Sequence, residues 1–163
     1  MTLGSAPGHT RVWQGIEAED PPCLRHDFPE LLAMAERMLA SREKRFPAMI
    51  AAGQIAPDVA ARQLELFRQI AADWRWICTG EGDIAPVATI AARREALDDS
   101  LRTIAAVARE RGGFDAELEQ QAHLVIAMRW HLEPERLTHV NARLTHALRA
   151  KARGHSPKEV VHA

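Results

Sequence analysis

The chain has 163 residues, the size of one ordinary domain, which can bury its own core without disulfides or metals. Lysine and arginine number 21 against 22 aspartates and glutamates, and the formal net charge of −1 excludes the strongly basic class of chains that bind polyanions non-specifically. Because good helix formers such as alanine, leucine, arginine and glutamate dominate and tyrosine is absent, we expect an all-α fold.

The N-terminal segment, residues 1–26, combines several glycines and prolines with few periodic apolar positions, so we predict an irregular arm. We expect Val12, Trp13 and Ile16 to hold this arm against the helices. The segment has no basic stretch followed by an apolar run, and no part of the chain approaches the ~20 apolar residues of a spanning helix. The sequence therefore predicts a cytoplasmic protein without a membrane partner.

A first amphipathic helix is predicted from Asp27, whose carboxylate is expected to cap free amides, to a stop at Gly53. We expect Pro47 to bend or interrupt this helix, because proline lacks an amide and its ring crowds the preceding turn. The apolar face follows alternating steps of three and four residues, which is typical of a helix. It consists of Leu32, Ala35, Leu39, Arg42, Phe46 and Met49.

A second helix is predicted from Pro57, which suits a first helical turn, to about Thr79. Only four residues, 53–56, separate it from the first helix, and such a short connection favours antiparallel packing. We therefore predict a helical hairpin that turns at Gly53, with Phe46, Phe67 and Trp74 in its core. The apolar face of the second helix consists of Ala60, Leu64, Phe67, Ala71, Trp74 and Cys78.

Three further helices complete the predicted bundle: one that ends before Gly112, one capped by Asp115, and one from Pro134 to Gly154. We predict a single helical domain over residues 27–154, built from about five helices around the central hairpin, and a flexible tail at residues 155–163. The apolar faces are Val87, Ile90, Ala91, Leu97, Leu101, Ile104 and Ala108 in the third helix, Leu118, Ala122, Val125 and Ile126 in the fourth, and Leu137, Val140, Leu144 and Leu148 in the fifth.

The predicted hairpin also resembles a motif of small uncharacterised proteins from phages and bacteria. Residues 41–74 read SREKRFPAMIAAGQIAPDVAARQLELFRQIAADW, and their order matches an Arg-[Tyr/Phe]-Pro-x-x-[Val/Ile]-x-x-Gly pattern followed by a second amphipathic helix. The resemblance covers about a fifth of the chain and implies a phage-like accessory protein that acts by binding host or phage machinery. The matching positions are Arg45, Phe46, Pro47, Ile50, Gly53, Ile55, Ala60 and Ile70.

Three carboxylates, those of Glu95, Asp98 and Asp99, lie within two turns of the predicted third helix. The pattern is similar to half of the magnesium site of all-α nucleotide pyrophosphohydrolases, but the partner helix with paired glutamates is missing. Solvated acids paired with Arg94, Arg102 or their neighbours are the simpler interpretation. A metal-dependent nucleotide hydrolase therefore stays the weakest of the three functional hypotheses.

Cysteine and histidine spacing does not indicate a metal site. Cys23 and Cys78 lie far apart in the sequence, which favours free thiols in a reducing compartment. His139 and His146 share a helix face but lie roughly 10 Å apart along it, too far to bind one ion together. We predict that the protein has no tightly bound metal and no cofactor, and that it is not an enzyme.

Basic residues cluster in two places, beside Pro47 and along the last helix. Residues 129–163 carry seven lysines and arginines against three glutamates, a net charge of +4. Our leading hypothesis is a helical protein that binds another protein, such as an accessory factor or inhibitor of host machinery. The alternative is a nucleic-acid-binding factor. The sequence does not decide whether the chain forms homo-oligomers. The candidate contacts for an anionic partner are Arg42, Lys44, Arg45, Arg136, Arg143, Arg149, Lys151 and Arg153.

Overall fold

The computed structural model describes residues 2–3, 8–82 and 88–154. Within them the chain forms five helices and one small two-stranded sheet, which confirms the predicted all-α bundle. The predicted tail at residues 155–163 and Val87 of the predicted third helix lie outside the described residues. The strands are β1 (Thr10–Trp13) and β2 (Ile16–Glu19), and the helices are α1 (Phe28–Ala51), α2 (Pro57–Thr79), α3 (Ile90–Arg111), α4 (Ala116–Trp130) and α5 (Thr138–Gly154).

The hairpin of α1 and α2 turns at Gly53, as predicted. Gly53 has a φ of 69°, and its N–H donates to the carbonyl oxygen of Ile50 at 3.0 Å, while the N–H of Gln54 donates to Met49 at 2.8 Å. This pair of bonds is the Schellman arrangement that closes helices at a left-handed residue. Farther from the turn the guanidinium of Arg42 lies over the ring of Phe67, so the two helices run antiparallel.

Two predicted details of α1 differ in the structure. Asp27 occupies the N-cap position, but its side chain makes no capping hydrogen bond. For Pro47 we predicted a bend or an interruption, and the interruption is wrong, because Pro47 lies inside α1. Proline removes the hydrogen bond that its own amide would make. The helix nevertheless continues beyond Pro47, where the N–H of Ala52 donates to the carbonyl oxygen of Ala48 at 3.0 Å.

The N-terminal arm contains regular structure at residues 10–19, where β1 and β2 form an antiparallel hairpin with Trp13 paired to Ile16, so this part of the arm is not irregular as predicted. Gln14 and Gly15, the two turn residues, have φ values of 51° and 85°, and positive φ at both positions is typical of a tight hairpin turn. Trp13 and Ile16 are buried in the main core, as predicted, whereas Val12 points to solvent with 62% of its surface exposed.

The remaining helices pack as a second layer on the hairpin. Thr89 caps α3 through the N–H of Ala92, and Asp115 caps α4 through the N–H of Leu118 at 2.8 Å, the latter as predicted. The fifth helix begins at Thr138 rather than at Pro134, because the chain passes through turns in which Glu135 has a φ of 70°. Among the described residues, none of the helices is both long and apolar enough to cross a membrane.

Phe67 and Trp74 belong to the main hydrophobic core, together with Leu31 of α1, Leu101 of α3 and Val125 of α4. Phe46 is also buried, but it lies outside this cluster, toward the turn of the hairpin. All three aromatic residues of the predicted hairpin core are therefore buried, and two of them belong to the main cluster.

Candidate functional site

Helix α5 packs on α2 through histidines rather than through leucines. The side chain of His146 donates from Nε2 to the carbonyl oxygen of Trp76 at 2.7 Å, and its ring meets the Trp76 ring edge-on at 5.2 Å. His139 stacks on the same indole at 5.9 Å with an interplanar angle of 12°. Because Thr138 and Ala142 are the buried residues of α5, this histidine face is the side that docks.

A buried carboxylate joins three helices beneath this contact. Asp73 of α2 is 4% exposed and accepts a hydrogen bond from Nε2 of His139 at 2.7 Å. Arg93 of α3, itself buried, donates to the other oxygen of Asp73 at 3.3 Å. A buried charge is tolerated only when it is paired and hydrogen-bonded, so Asp73 fixes α5 against α2 and α3.

His131, in the turn between α4 and α5, is buried and held at both ring nitrogens. Nε2 donates to the carbonyl oxygen of Arg25 at 2.6 Å, and Nδ1 accepts from the hydroxyl of Thr138 at 2.5 Å. Burial lowers the pKa of His131 to about 4, because the charged imidazolium loses its hydration. His131 is therefore neutral near pH 7 and serves as a structural link between the N-terminal segment and α5.

An open cleft of about 410 Å³ lies beside His131, between α5 and the turn that precedes it. One wall is formed by Trp130, whose ring is covered by the guanidinium of Arg136 at 3.9 Å. Arg136 also donates from Nε to the carbonyl oxygen of Trp130 at 3.0 Å, and Arg149 of α5 lines the same cleft. Two of the predicted basic contacts thus face this cleft.

The predicted apolar stripe of α5 points to solvent. Leu137, immediately before the helix, is 61% exposed, and Val140, Leu144 and Leu148 are 52%, 58% and 66% exposed. Successive helical residues turn by about 100°, so Val140, Leu144 and Leu148 share an arc of about 80° on the side opposite the histidines. We name this surface, Leu137, Val140, Leu144 and Leu148, the outer stripe.

The other cations of α5 are exposed and distributed around the helix. Arg143 flanks the outer stripe, Lys151 lies in line with it, and Arg153 is on the opposite side by helical rotation. No carboxylate occurs within α5, whose sequence is THVNARLTHALRAKARG. The helix therefore carries the predicted net positive charge, but its cations do not form one continuous face.

The predicted basic patch beside Pro47 is split in the structure. Arg42 and Arg45 line a cleft between α1, α3 and α4, together with Arg37, which the sequence analysis did not select. Lys44 is exposed on another side of α1 and does not line this cleft. Helical spacing explains the grouping, because positions 42 and 45 are neighbours on a helix surface and position 44 is not.

The three carboxylates of α3 are neutralised by arginines. Glu95 and Asp99 both pair with Arg102, at 2.6 and 2.9 Å, and Asp98 pairs with Arg129 of α4 at 3.0 Å. In the part of the chain that the structure describes, no three histidine, cysteine or acidic side chains come together in a way that could hold a metal ion. The carboxylates serve to join α3 to α4 and to stabilise the exposed side of α3.

Comparison with protein-family profiles, with curated protein sequences and with solved structures finds no match for this chain.

Sequence reasoning missed the residues that position α5: Asp73, Trp76, Arg93 and His131. Each is a polar or aromatic residue on a helix face or turn that periodicity assigns to solvent or to general core packing. The sequence signal for these contacts was the repeated histidine at positions 131, 139 and 146. In the structure these histidines contact Arg25, Asp73 and Trp76, respectively.

Proposed function

We propose that this protein is a non-enzymatic binding protein whose outer stripe on α5 docks on another protein. The exposure of the stripe carries the proposal. Its four aliphatic side chains are each more than half exposed, whereas the apolar faces of α1 to α4 are largely buried. A contiguous row of large apolar residues at helical spacing on a surface helix is the feature that partner grooves recognise.

The charge of α5 defines the chemistry of the partner. Within the helix Arg143, Arg149, Lys151 and Arg153 are four cations with no carboxylate to oppose them. An apolar groove that receives the outer stripe would therefore be stabilised by a rim of aspartates and glutamates. We infer a partner with an acidic surface around a helix-binding groove.

A second copy of the chain fits this surface less well. Two α5 helices packed stripe to stripe would bring Arg143 and Lys151 of each copy near the same charges of the other. Like charges across an interface are unfavourable, and α5 offers no acids to compensate. The charge of the helix thus favours a hetero-complex over a homodimer.

The resemblance of residues 41–74 supports the wider proposal of a phage or prophage-type accessory protein or inhibitor, whose partner belongs to host or phage machinery. The free thiols of Cys23 and Cys78 suit the cytoplasm as the place of action. The pairing of Glu95, Asp98 and Asp99 with arginines supports binding rather than hydrolysis.

Nucleic-acid binding is the second candidate, favoured by the four cations of α5, a helix whose own sequence contains no carboxylate. The apolar side chains between them argue against it, because aliphatic groups neither pair with phosphates nor stack on bases. Arg143 and Arg149 also point about 120° apart around the helix, so the phosphates of one nucleic-acid strand cannot contact both side chains.

Site-specific photo-crosslinking in the native host tests the proposal. A photoreactive residue replaces Leu144 in the outer stripe, and in a matched control it replaces Ala61, an exposed residue of α2. We expect a discrete crosslinked protein at position 144 and none at position 61, and the crosslink should map to an apolar groove with an acidic rim. A crosslinked homodimer, a nucleic-acid adduct or identical products at both positions would contradict the proposal.

A further inference from the structure

A second cleft, of about 320 Å³, lies on the α1 side of the bundle, away from the α5 helix that carries the proposed function. Residues of α1, α3 and α4 line it, and three of them are arginines: Arg37, Arg42 and Arg45. We name it the arginine cleft. Its volume is within the range of small-molecule sites.

None of these three guanidinium groups forms an ion pair with a carboxylate among residues 2–3, 8–82 and 88–154. The carboxylates of Glu36, Asp98 and Asp99 pair with other arginines. Arg45 donates from Nε to the carbonyl oxygen of Ser41 at 3.3 Å, and Arg37 donates from Nη2 to the sulfur of Met34 at 3.4 Å. The positive charges of the cleft therefore have neutral partners, and they add to one another.

Arg42 lies deepest and is the most constrained of the three. Its guanidinium donates to the carbonyl oxygen of Met38 at 3.0 Å and to the hydroxyl of Ser100 at 3.2 Å, and it covers the ring of Phe67 at 3.6 Å. Burial, together with the charge of Arg45, lowers the pKa of Arg42 to about 10. A charge that is partly desolvated without an anion gains most when an anion arrives.

The other residues that line the arginine cleft indicate which chemical groups the rest of the ligand carries. Hydroxyl and amide groups of Ser41, Thr103 and Gln121 surround the arginines and can accept or donate further hydrogen bonds. The apolar wall is formed by Met34, Met38, Ile104 and Val125. A ligand that satisfies both parts carries an oxyanion on an apolar or aromatic body.

An adjoining groove contains an acidic side chain. Glu117 of α4 lines that groove with Arg111, and Thr103, Ile104 and Gln121 are shared between the groove and the arginine cleft. Arg111 pairs with Asp115 at 3.2 Å, so Glu117 leaves this side with one net negative charge, fewer than the three positive charges of the arginine cleft. The positive field is thus local to the α1 wall.

We propose that the arginine cleft binds a small organic oxyanion, with its phosphate or carboxylate held by Arg37, Arg42 and Arg45 and its apolar body against the methionine wall. Planar guanidinium groups bind both oxyanions in a bidentate manner, and three of them facing one cleft suit a doubly charged phosphate best. The inference is independent of partner docking by α5, because it involves α1, α3 and α4.

Isothermal titration of the full-length protein at constant ionic strength tests the inference. The probes are phenyl phosphate, inorganic phosphate and benzoate, which separate the phosphate, the apolar ring and the carboxylate. We expect saturable one-to-one binding of phenyl phosphate, tighter than that of inorganic phosphate because the ring contacts the methionine wall. Comparison with benzoate then assigns the preferred oxyanion. No saturable binding of any of the three at millimolar concentration would overturn the proposal.

Matched double variants locate the site. Arg37→Gln/Arg45→Gln removes two exposed cations of the cleft, and Arg62→Gln/Arg68→Gln removes two exposed arginines of α2 with the same change in net charge. We expect the first variant to weaken phenyl phosphate binding by about ten-fold or more, because it removes two charge-assisted contacts to the phosphate, and the second to leave it unchanged. Equal affinities in both variants would refute the assignment.

A measurement on the wild-type protein removes any dependence on how the variants fold. In two-dimensional NMR spectra, phenyl phosphate should shift the amide signals of residues 37–45 of α1 and 100–104 of α3, while signals of α5 stay in place. Shifts confined to α5 or spread evenly over the basic surface would place the anion elsewhere and contradict the arginine cleft.

Discussion

At the scale of single residues, the histidines of the C-terminal third show how the same side chain serves different contacts. His139 pairs with the carboxylate of Asp73, His146 donates to a main-chain carbonyl of Trp76, and His131 is neutral and links Arg25 to Thr138. None of these roles follows from spacing, because each depends on the group that the fold places opposite the ring. The sequence predicted only that the histidines do not bind one metal ion together.

The burial of His131 makes the stability of the protein depend on pH in the acidic range. In the unfolded chain its pKa is near 6.5, and in the folded protein burial lowers it to about 4. Above pH 6.5 the ring is neutral in both states, so His131 does not lower the free energy of unfolding there. Between pH 6.5 and pH 4 the unfolded chain alone binds the proton, so the free energy of unfolding falls, by about 2 kcal/mol at pH 5 from this residue.

Urea unfolding of the wild-type protein and of a His131→Asn variant, each near pH 7.5 and near pH 5, measures this effect. The variant loses stability at both values, because its hydrogen bonds to Arg25 and Thr138 change, but its loss between the two values should be smaller than that of the wild type by about 2 kcal/mol. The comparison uses the pH dependence and not the absolute stability. A variant that keeps the full wild-type pH dependence would show that another group is responsible.

At the scale of the elements, the sequence predicted helices and their ends better than the faces they bury. Gly53 and Asp115 mark their helix ends through local hydrogen bonds, which short sequence patterns encode directly. The β1–β2 hairpin was missed because each strand has four residues, too few for an alternating pattern to be distinct.

The orientation of α5 illustrates the limit of periodicity. The stripe of Val140, Leu144 and Leu148 predicts a helix, but periodicity does not say which side meets the core. Asp73 and Trp76 of α2 supply a charge and a ring that the histidine face satisfies, so the leucines point outward. Polar partners that are distant in the sequence therefore determine which face of α5 is buried, and no local sequence pattern contains them.

A glycine at the end of α2 tests how closely α5 docks. Gly80 has a φ of 78°, and a Cβ at this position would lie 3.2 Å from the ring of His146. Gly53 has a similar φ of 69° but open space around it. Gly53→Ala should therefore cost only the backbone strain, about 1 kcal/mol, while Gly80→Ala should cost more because the His146 ring must also move.

Denaturant unfolding of both glycine variants gives the difference, and the NMR signals of His146 and Trp76 report whether the contact has moved. The backbone strain cancels in the comparison, so the excess loss in Gly80→Ala measures the docking of α5. Equal losses in the two variants would mean that α5 is held too loosely for the contact to matter.

At the scale of the whole molecule, the two proposed sites use charge in different ways. In the arginine cleft, Arg37, Arg42 and Arg45 line one concave surface, which suits a small anion. On α5, Arg143 and Lys151 accompany an exposed apolar stripe, which suits a protein surface. A net charge of −1 hides both features, because acids elsewhere, such as those of residues 1–30, balance the basic regions.

The dependence of nucleic-acid binding on salt separates the leading function from its alternative. Counterion release makes affinity for DNA fall steeply with salt, by roughly one logarithmic unit of slope per phosphate contact. If α5 binds a protein groove through Leu144 and Leu148, the wild-type chain should show no such binding to duplex or single-stranded DNA at physiological salt. The measurement is fluorescence anisotropy of labelled DNA over a salt series.

Two variants make the result specific to α5. Arg143→Gln/Lys151→Gln removes cations beside the outer stripe. Leu137→Ser/Leu148→Ser removes half of the stripe, changes no charge and leaves position 144 available for the photoreactive residue. Because all four side chains are exposed, both variants should keep the wild-type stability within about 0.5 kcal/mol. Loss of the crosslinked partner in the leucine variant, with DNA binding absent throughout, is the result that protein docking requires. Salt-sensitive DNA binding in the wild type that the leucine variant keeps and the cation variant loses would instead assign α5 to nucleic acid, because it would show that phosphate contacts and not apolar contacts hold the ligand.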